Sequence, residues 1–207
     1  MSEQKDITGI LPDQYTGKSI EAQSSVELSN EQDARNFYHT VKARLLDINQ
    51  WHQLAGVISA KFQLVDAQGE EVEREPQIGD YFKIDIPGPG SKDGDGYDWA
   101  SIEAMNEVTD GNNQSIGLRV RPCPNPLGGS QNVAHFYSEE STCSFIIKQE
   151  GTSIHARIID RNVKPNDVAS SLMDKLRDSA VGIGAIIKFS ELQWKNLVEG
   201  FVKPVDQ

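Results

Sequence analysis

DVASSLMDKLRDSAVGIGAIIKFSELQWKNLVEGFV, residues 167–202, is the last long apolar stretch of the chain. Leu172, Leu176, Ile183, Ile187, Trp194, Leu197 and Phe201 follow three-, four- and seven-residue steps. Such steps keep side chains near one face of a helix. Met173, Ala180, Gly184 and Ile186 widen that face, and Asp167 suits an N-cap. Gly182 and Gly184 each cost about 1 kcal/mol relative to Ala in a helix interior. They mark a kink, a close approach to a sheet or ligand, or a break, with Phe189-Ser190-Glu191 able to restart a second helix. The stretch therefore reads as one amphipathic helix or a broken pair.

Working back from this helix, the middle of the chain alternates like strands. Residues 141–149 and 152–161 predict a hairpin around Glu150-Gly151, with Ile154, Ala156 and Ile158 on one face and His155 and Arg157 on the other. Ile116, Leu118 and Val120 alternate with Gly117, Arg119 and Arg121. Phe62 and Leu64, then Phe82, Ile84 and Ile86, give two further strands, and Tyr97–Glu107 gives another. Residues 87–96 form a Pro/Gly-rich loop, and Pro122, Pro124, Pro126 and Gly128-Gly129 break the sheet again.

Near the start, Asn30 suits an N-cap, with Glu31 and Asp33 in the first turn. Phe37, Val41, Leu45 and Ile48 recur at helical spacing, and Tyr38, Leu46 and Trp51 widen the stripe as far as Gly56. A short strand precedes this region at Ser24–Ser29. Residues 1–22 read as a polar, irregular extension, 23–203 as one domain and 204–207 as a tail. The fold class is α+β: a curved antiparallel sheet wrapped around a long C-terminal helix. That arrangement tends to leave a hollow between sheet and helix.

The 207 residues suffice for one core without disulfide staples. No apolar run reaches about 18 residues, so no membrane span is expected. The polar start Met1–Asp6 lacks a leader, which points to the cytoplasm. A net charge of −11 disfavours nucleic acid. Arg119 and Arg121, with His155 and Arg157, read as solvated strand faces. Cys143 reads as a small core residue and Cys123 as a partly exposed thiol in a bend; neither has ligand spacing for zinc.

Catalytic patterns are missing. Asp93-Gly94-Asp95-Gly96-Tyr97-Asp98 fails the calcium-loop pattern, with Tyr97 at its fifth position and Ala104 at its twelfth. His39 and His52 read as helix-surface residues, and His135 as a loop histidine near Glu139 and Glu140. No catalytic residue, metal site or cofactor is expected. Trp99 is hard to place, because Tyr97, Trp99 and Ser101 oppose Ala100, Ile102 and Ala104.

Strand, helical pair, antiparallel sheet and closing helix resembles the START-like, or SRPBCC, helix-grip superfamily, in a bacterial branch. Residues 41–52, ending at Trp51-His52, look like its early helical region; residues 142–161 look like its late hairpin, and residues 187–197 like the end of its last helix. The resemblance covers about residues 25–202 and implies a cavity between sheet and helix. Its implied function is binding of a hydrophobic or amphipathic small molecule or lipid. Alternation and helical spacing nominate Phe62, Ile84, Ile102, Leu118, Ile158, Ile183, Ile187 and Trp194 as cavity residues. Two rivals remain: a cyclase, dehydratase or hydrolase of the same fold, requiring convergent ionisable groups, or a protein-interaction module with a filled core and an apolar patch around Trp99 or the proline-rich bend.

Overall fold

A computed structural model of the chain describes residues 6–56, 59–87, 91–166 and 181–204. The first strand, β1, runs Lys18–Glu27 and buries Ile20 and Ala22. Asn30 then caps α1, Glu31–Leu46, its Oδ1 accepting from the Asp33 amide at 2.9 Å. A 3₁₀ turn at Ile48–Gln50 leads into α2, Trp51–Ala55. Gly56, at φ 88°, ends it in a conformation that L side chains rarely adopt.

Six strands follow: β2 (Lys61–Val65), β3 (Tyr81–Asp85), β4 (Asp98–Asp110), β5 (Asn113–Pro122), β6 (Thr142–Glu150) and β7 (Ser153–Val163). With β1 they form one antiparallel sheet in the order β1-β7-β6-β5-β4-β3-β2. The helices α1 and α2 thus bridge strands at opposite edges of the sheet. The closing helix α3, Val181–Val202, packs on β1, β7 and α2. It is continuous through Gly182 and Gly184, so the break considered there does not occur within it. The proposed cap Asp167 and the stripe residues Leu172, Met173, Leu176 and Ala180 lie outside the described residues.

Alternation decides the inner face. Ile154, Ala156 and Ile158 of β7, Phe145 and Ile147 of β6, and Ile116, Leu118 and Val120 of β5 join one core with Tyr38, Val41, Leu45, Trp51, Leu197 and Phe201. Trp51 is its centre. Its ring lies 4.7–5.8 Å from those of Phe62, Phe82, Phe145 and Phe201. Its indole N–H is shared between the Arg44 and Leu45 carbonyls, which ties α2 to the end of α1.

The outer face holds two departures from expectation. Residues 6–17 are not a separate extension, and β1 begins at Lys18 rather than Ser24. Ile10 is buried against Ile146 and Ile159 on the outer side of the sheet. The Thr8 and Ile10 carbonyls accept from Asn106 and Arg119. Asn162, at φ 56°, accepts from the Tyr15 and Thr16 amides and donates to the Asp13 carbonyl. A single apolar residue and side-chain bonds of this kind have no period, so propensity could not show them.

Gly117 leaves the notch that admits the arm, because a Cβ there would stand 2.5 Å from Ile10 Cδ1. Gly117→Val is therefore expected to displace the arm and cost about 1–3 kcal/mol by overpacking. Limited proteolysis should then cut near residue 10 while the rest of the chain stays resistant. An arm as protected as in the wild type would refute the account.

The second departure is Trp99. Alternation sends Ala100 and Ile102 inward, and Trp99 falls on the outer face. There it is 1% exposed, beside Val65, Ala134 and Cys123 and bonded to the Gly94 carbonyl at 3.3 Å. Trp99 is thus no centre of an exposed apolar patch, whereas Leu127 in the proline-rich bend is exposed. Cys123 sits in the same cluster, and burial pushes its thiol up to about 12.

Several charges on the outer face are paired. Glu103 lies between Arg119 and Arg121, and Glu21 meets Arg157. The carboxylates of Asp93 and Asp95 accept from Ser130 and Asn125, closing one loop on another. Among the described residues no cluster of His, Cys, Asp and Glu could hold a metal, and no helix is long and apolar enough to cross a membrane.

Candidate functional site

Between the sheet and α3, near the β2–β3 end of the inner face, lies a cavity of about 70 Å³. Its walls are apolar: Phe62, Phe82, Ile84, Ala100 and Phe145 from the sheet, Phe189 and Trp194 from the helix. Aromatic side chains fill most of the expected hollow. Trp194 lies edge-on to Phe145 at 5.6 Å and tilted against Phe62 at 6.3 Å. Drug-sized ligands occupy pockets of roughly 300 Å³ or more, so this cavity suits something smaller.

One end of the cavity is polar. Asp160 continues the inward row of Ile154, Ala156 and Ile158, and the register places it opposite Cys143 on β6. The Cys143 thiol donates to the Asp160 carboxyl, and the Trp194 indole N–H donates to its Oδ2 at 2.8 Å. Among the described residues no Lys or Arg lines the cavity. Burial without a cation pushes the Asp160 carboxyl up to about 6, with the two donated bonds pulling the other way. Burial also pushes Cys143 well above the usual thiol value, and Asp160 adds to it. Cys143 is thus a poor nucleophile. It packs against the main core, as its place in the apolar run suggests, and also lines the cavity.

Tyr137 and Ser190 meet across the same end, hydroxyl to hydroxyl, at 3.1 Å. Burial raises the Tyr137 phenol above its ordinary value, so it stays protonated. Gln193 lines the cavity and is 3% exposed. Its Oε1 accepts from the Ala60 amide at 2.8 Å, while its Nε2 has no partner among the described residues. A buried amide donor without an acceptor is costly and points to a missing one.

His135 also lines the cavity, away from the Glu139 and Glu140 that the sequence suggested. Its neighbour is Asp98, at 3.8 Å. The His135 Nδ1 accepts from the Tyr137 amide at 2.9 Å, so the neutral ring carries its proton on Nε2. Burial lowers its pKa to about 3 and raises that of Asp98 to about 7, the latter opposed by the Phe136 and Ser91 amides.

Of the nominated residues, Phe62, Ile84 and Trp194 meet at the cavity. Ile102, Leu118 and Ile158 are at most 1% exposed and belong to the closed core beside it. They fill the sheet's middle, in one core with residues of α1, α2 and the Phe201 end of α3. Ile187 packs instead with Ile20, Tyr137 and Val163. The side chain of Ile183 lies outside the described residues.

Asp160, Ser190, Gln193 and Tyr137 escaped the sequence reading. The signal for Asp160 was present: it extends an apolar inward alternation by one step. Ser190 likewise interrupts the three- and four-residue steps between Ile187, Trp194 and Leu197.

No known family model matches the chain, and no curated protein matches it in sequence. Solved structures do. A hypothetical protein of Helicobacter pylori aligns over 88% of this chain and 87% of its own, at 11% identity and a TM-score of 0.50. The di-domain ARO/CYC StfQ of the steffimycin biosynthetic pathway aligns over 89% of this chain and 51% of its own, at 13% identity and TM-score 0.41. Norcoclaurine synthase from Thalictrum flavum aligns over 85% and 84%, at 8% identity and TM-score 0.35. The antiparallel sheet, the helical pair joining its edges and the closing α3, an architecture shared along most of its length with the Helicobacter pylori protein, give this chain an α+β helix-grip fold.

Proposed function

We propose that this protein binds a compact amphipathic molecule in the cavity beneath α3. The observation that carries this reading is an apolar cavity ending in polar groups, one of which, Gln193 Nε2, lacks an acceptor. At about 10–15 Å³ for each water-sized atom, 70 Å³ holds about five to seven. The volume favours a small ring or branched chain over an extended lipid. Apolar burial supplies affinity, and the polar end sets orientation.

Titration with cyclohexanol, followed by backbone amide shifts, tests this. Saturable shifts are expected at Ala60, Ala100, Phe145 and Gln193. Ala100→Leu, which fills the cavity, should weaken binding by about tenfold while the protein stays folded. Absence of saturable binding, with nothing retained in native mass spectra of protein from its own host, would sink the proposal.

An enzyme of the same fold is the second reading, favoured by the ionisable side chains of Asp160, Cys143, Tyr137 and His135 converging on one cavity. A carboxyl near 6 is suited to general acid–base work close to neutrality. In this reading Asp160 is the base and Tyr137 a hydrogen-bond donor. Host metabolite extracts incubated with wild type and with Asp160→Asn should then differ in at least one compound; identical extracts remove the enzyme.

A further inference from the structure

We infer that the cavity selects a small protonated amine, whose ammonium group meets the Asp160 carboxylate while its apolar body lies among the rings. The inference rests on the binding proposed above and specifies the ligand's charge.

Three observations converge on it. First, Asp160 is 3% exposed and lines the cavity, with an indole N–H and a thiol as its partners and, among the described residues, no cationic one. Such a carboxylate is costly alone and strongly stabilised by an opposite charge. Second, among the described residues no Lys or Arg lines the cavity, so there an anionic ligand would meet only a carboxylate and neutral groups. Third, the faces and edges of Phe62, Phe82, Phe145 and Trp194 form the adjacent wall. Aromatic faces attract ammonium groups. The chain's net charge of −11 also draws cations and repels anions at long range. The unpartnered Gln193 Nε2 adds a requirement: an acceptor elsewhere on the ligand, such as a hydroxyl or carbonyl oxygen.

Cyclohexylamine and cyclohexanol present the same ring with and without the charge. At about pH 8 the full chain should bind the amine about tenfold or more tighter than the alcohol. Asp160→Asn should abolish that preference, chiefly by weakening the amine.

A measurement on the wild type alone guards against a misfolded variant: the preference should fall between about pH 8 and pH 5 as Asp160 takes up its proton. Cys143, Tyr137 and His135, the other titratable groups of the cavity, stay neutral across that range, while Asp98, raised to about 7, titrates beside His135 without lining the cavity.

Equal or tighter binding of the alcohol, or a preference unchanged in Asp160→Asn, overturns the inference and leaves the binding proposal standing. Failure of both probes to bind overturns both.

Discussion

Trp51→Ala is expected to cost about 3–5 kcal/mol and to lower the melting temperature by about 6–20 °C. The residue is fully buried, and its ring touches side chains from β2, β3, β6 and α3 together. Few positions in the chain join so many elements. Its N–H, shared by the Arg44 and Leu45 carbonyls, also fixes the angle between α1 and α2. Truncation therefore opens a void that four aromatic rings border, and leaves the Arg44 and Leu45 carbonyls short of a donor. Against a total stability of about 5–15 kcal/mol, the loss is large. Trp51→Phe separates the terms. It keeps a ring in the cluster and should cost less than half as much. Urea unfolding monitored by circular dichroism gives both values. A loss below about 1 kcal/mol for Trp51→Ala would mean that the cluster is not the anchor of the fold.

This anchor was legible in the sequence. Trp51 extends the helical stripe of Tyr38, Val41, Leu45 and Ile48, and helical period is the strongest local signal a soluble chain carries. The strands were legible for a similar reason, since Phe62, Ile84, Leu118 and Ile158 each sit in a row of period two. What the rows leave open is depth. Alternation sends Leu118 and Phe62 to the same face, yet one ends in the closed core and the other at the cavity. That difference depends on how far each helix reaches across the sheet, a long-range property.

The polar end of the cavity was hidden for another reason. A row of period two carries a hydrophobic signal only as far as its last apolar member, Ile158, and Asp160 stands two residues beyond it. Ser190 and Gln193 were masked in the same way by the Ile187, Trp194 and Leu197 stripe around them. The outer face offered no signal of either kind. Gly117 and Ile10 are 107 positions apart and meet only through the arm's path.

Asp160→Asn is expected to make the empty protein more stable, by an amount that depends on pH. The wild-type carboxyl moves from 3.8 to about 6 on folding, because burial without a cation disfavours its charge. For a raised acid the favourable state is the protonated one. The folded form holds a proton between about pH 4 and pH 6 that the unfolded form has lost, so stability falls as pH rises through that window. Below it the group has no effect; above it the whole penalty of about 3 kcal/mol is present. Asn carries no charge and escapes this penalty.

Asn does lose something, since its amide can accept from Trp194 but offers the Cys143 thiol a weaker partner, a cost of about 1 kcal/mol. The variant should thus exceed the wild type by about 2 kcal/mol near pH 8, and fall level with it or below by about pH 4. Asp98 and His135 also exchange protons on folding, in opposite senses, but they do so in both proteins and cancel in the difference. Paired urea curves across this range supply the test, and a gap that stays constant with pH would contradict the assigned environment of Asp160. The same charge that weakens the empty fold is the one an ammonium ligand would neutralise. A destabilising carboxylate at the end of an otherwise apolar cavity is what a binding site retains and a purely structural core discards.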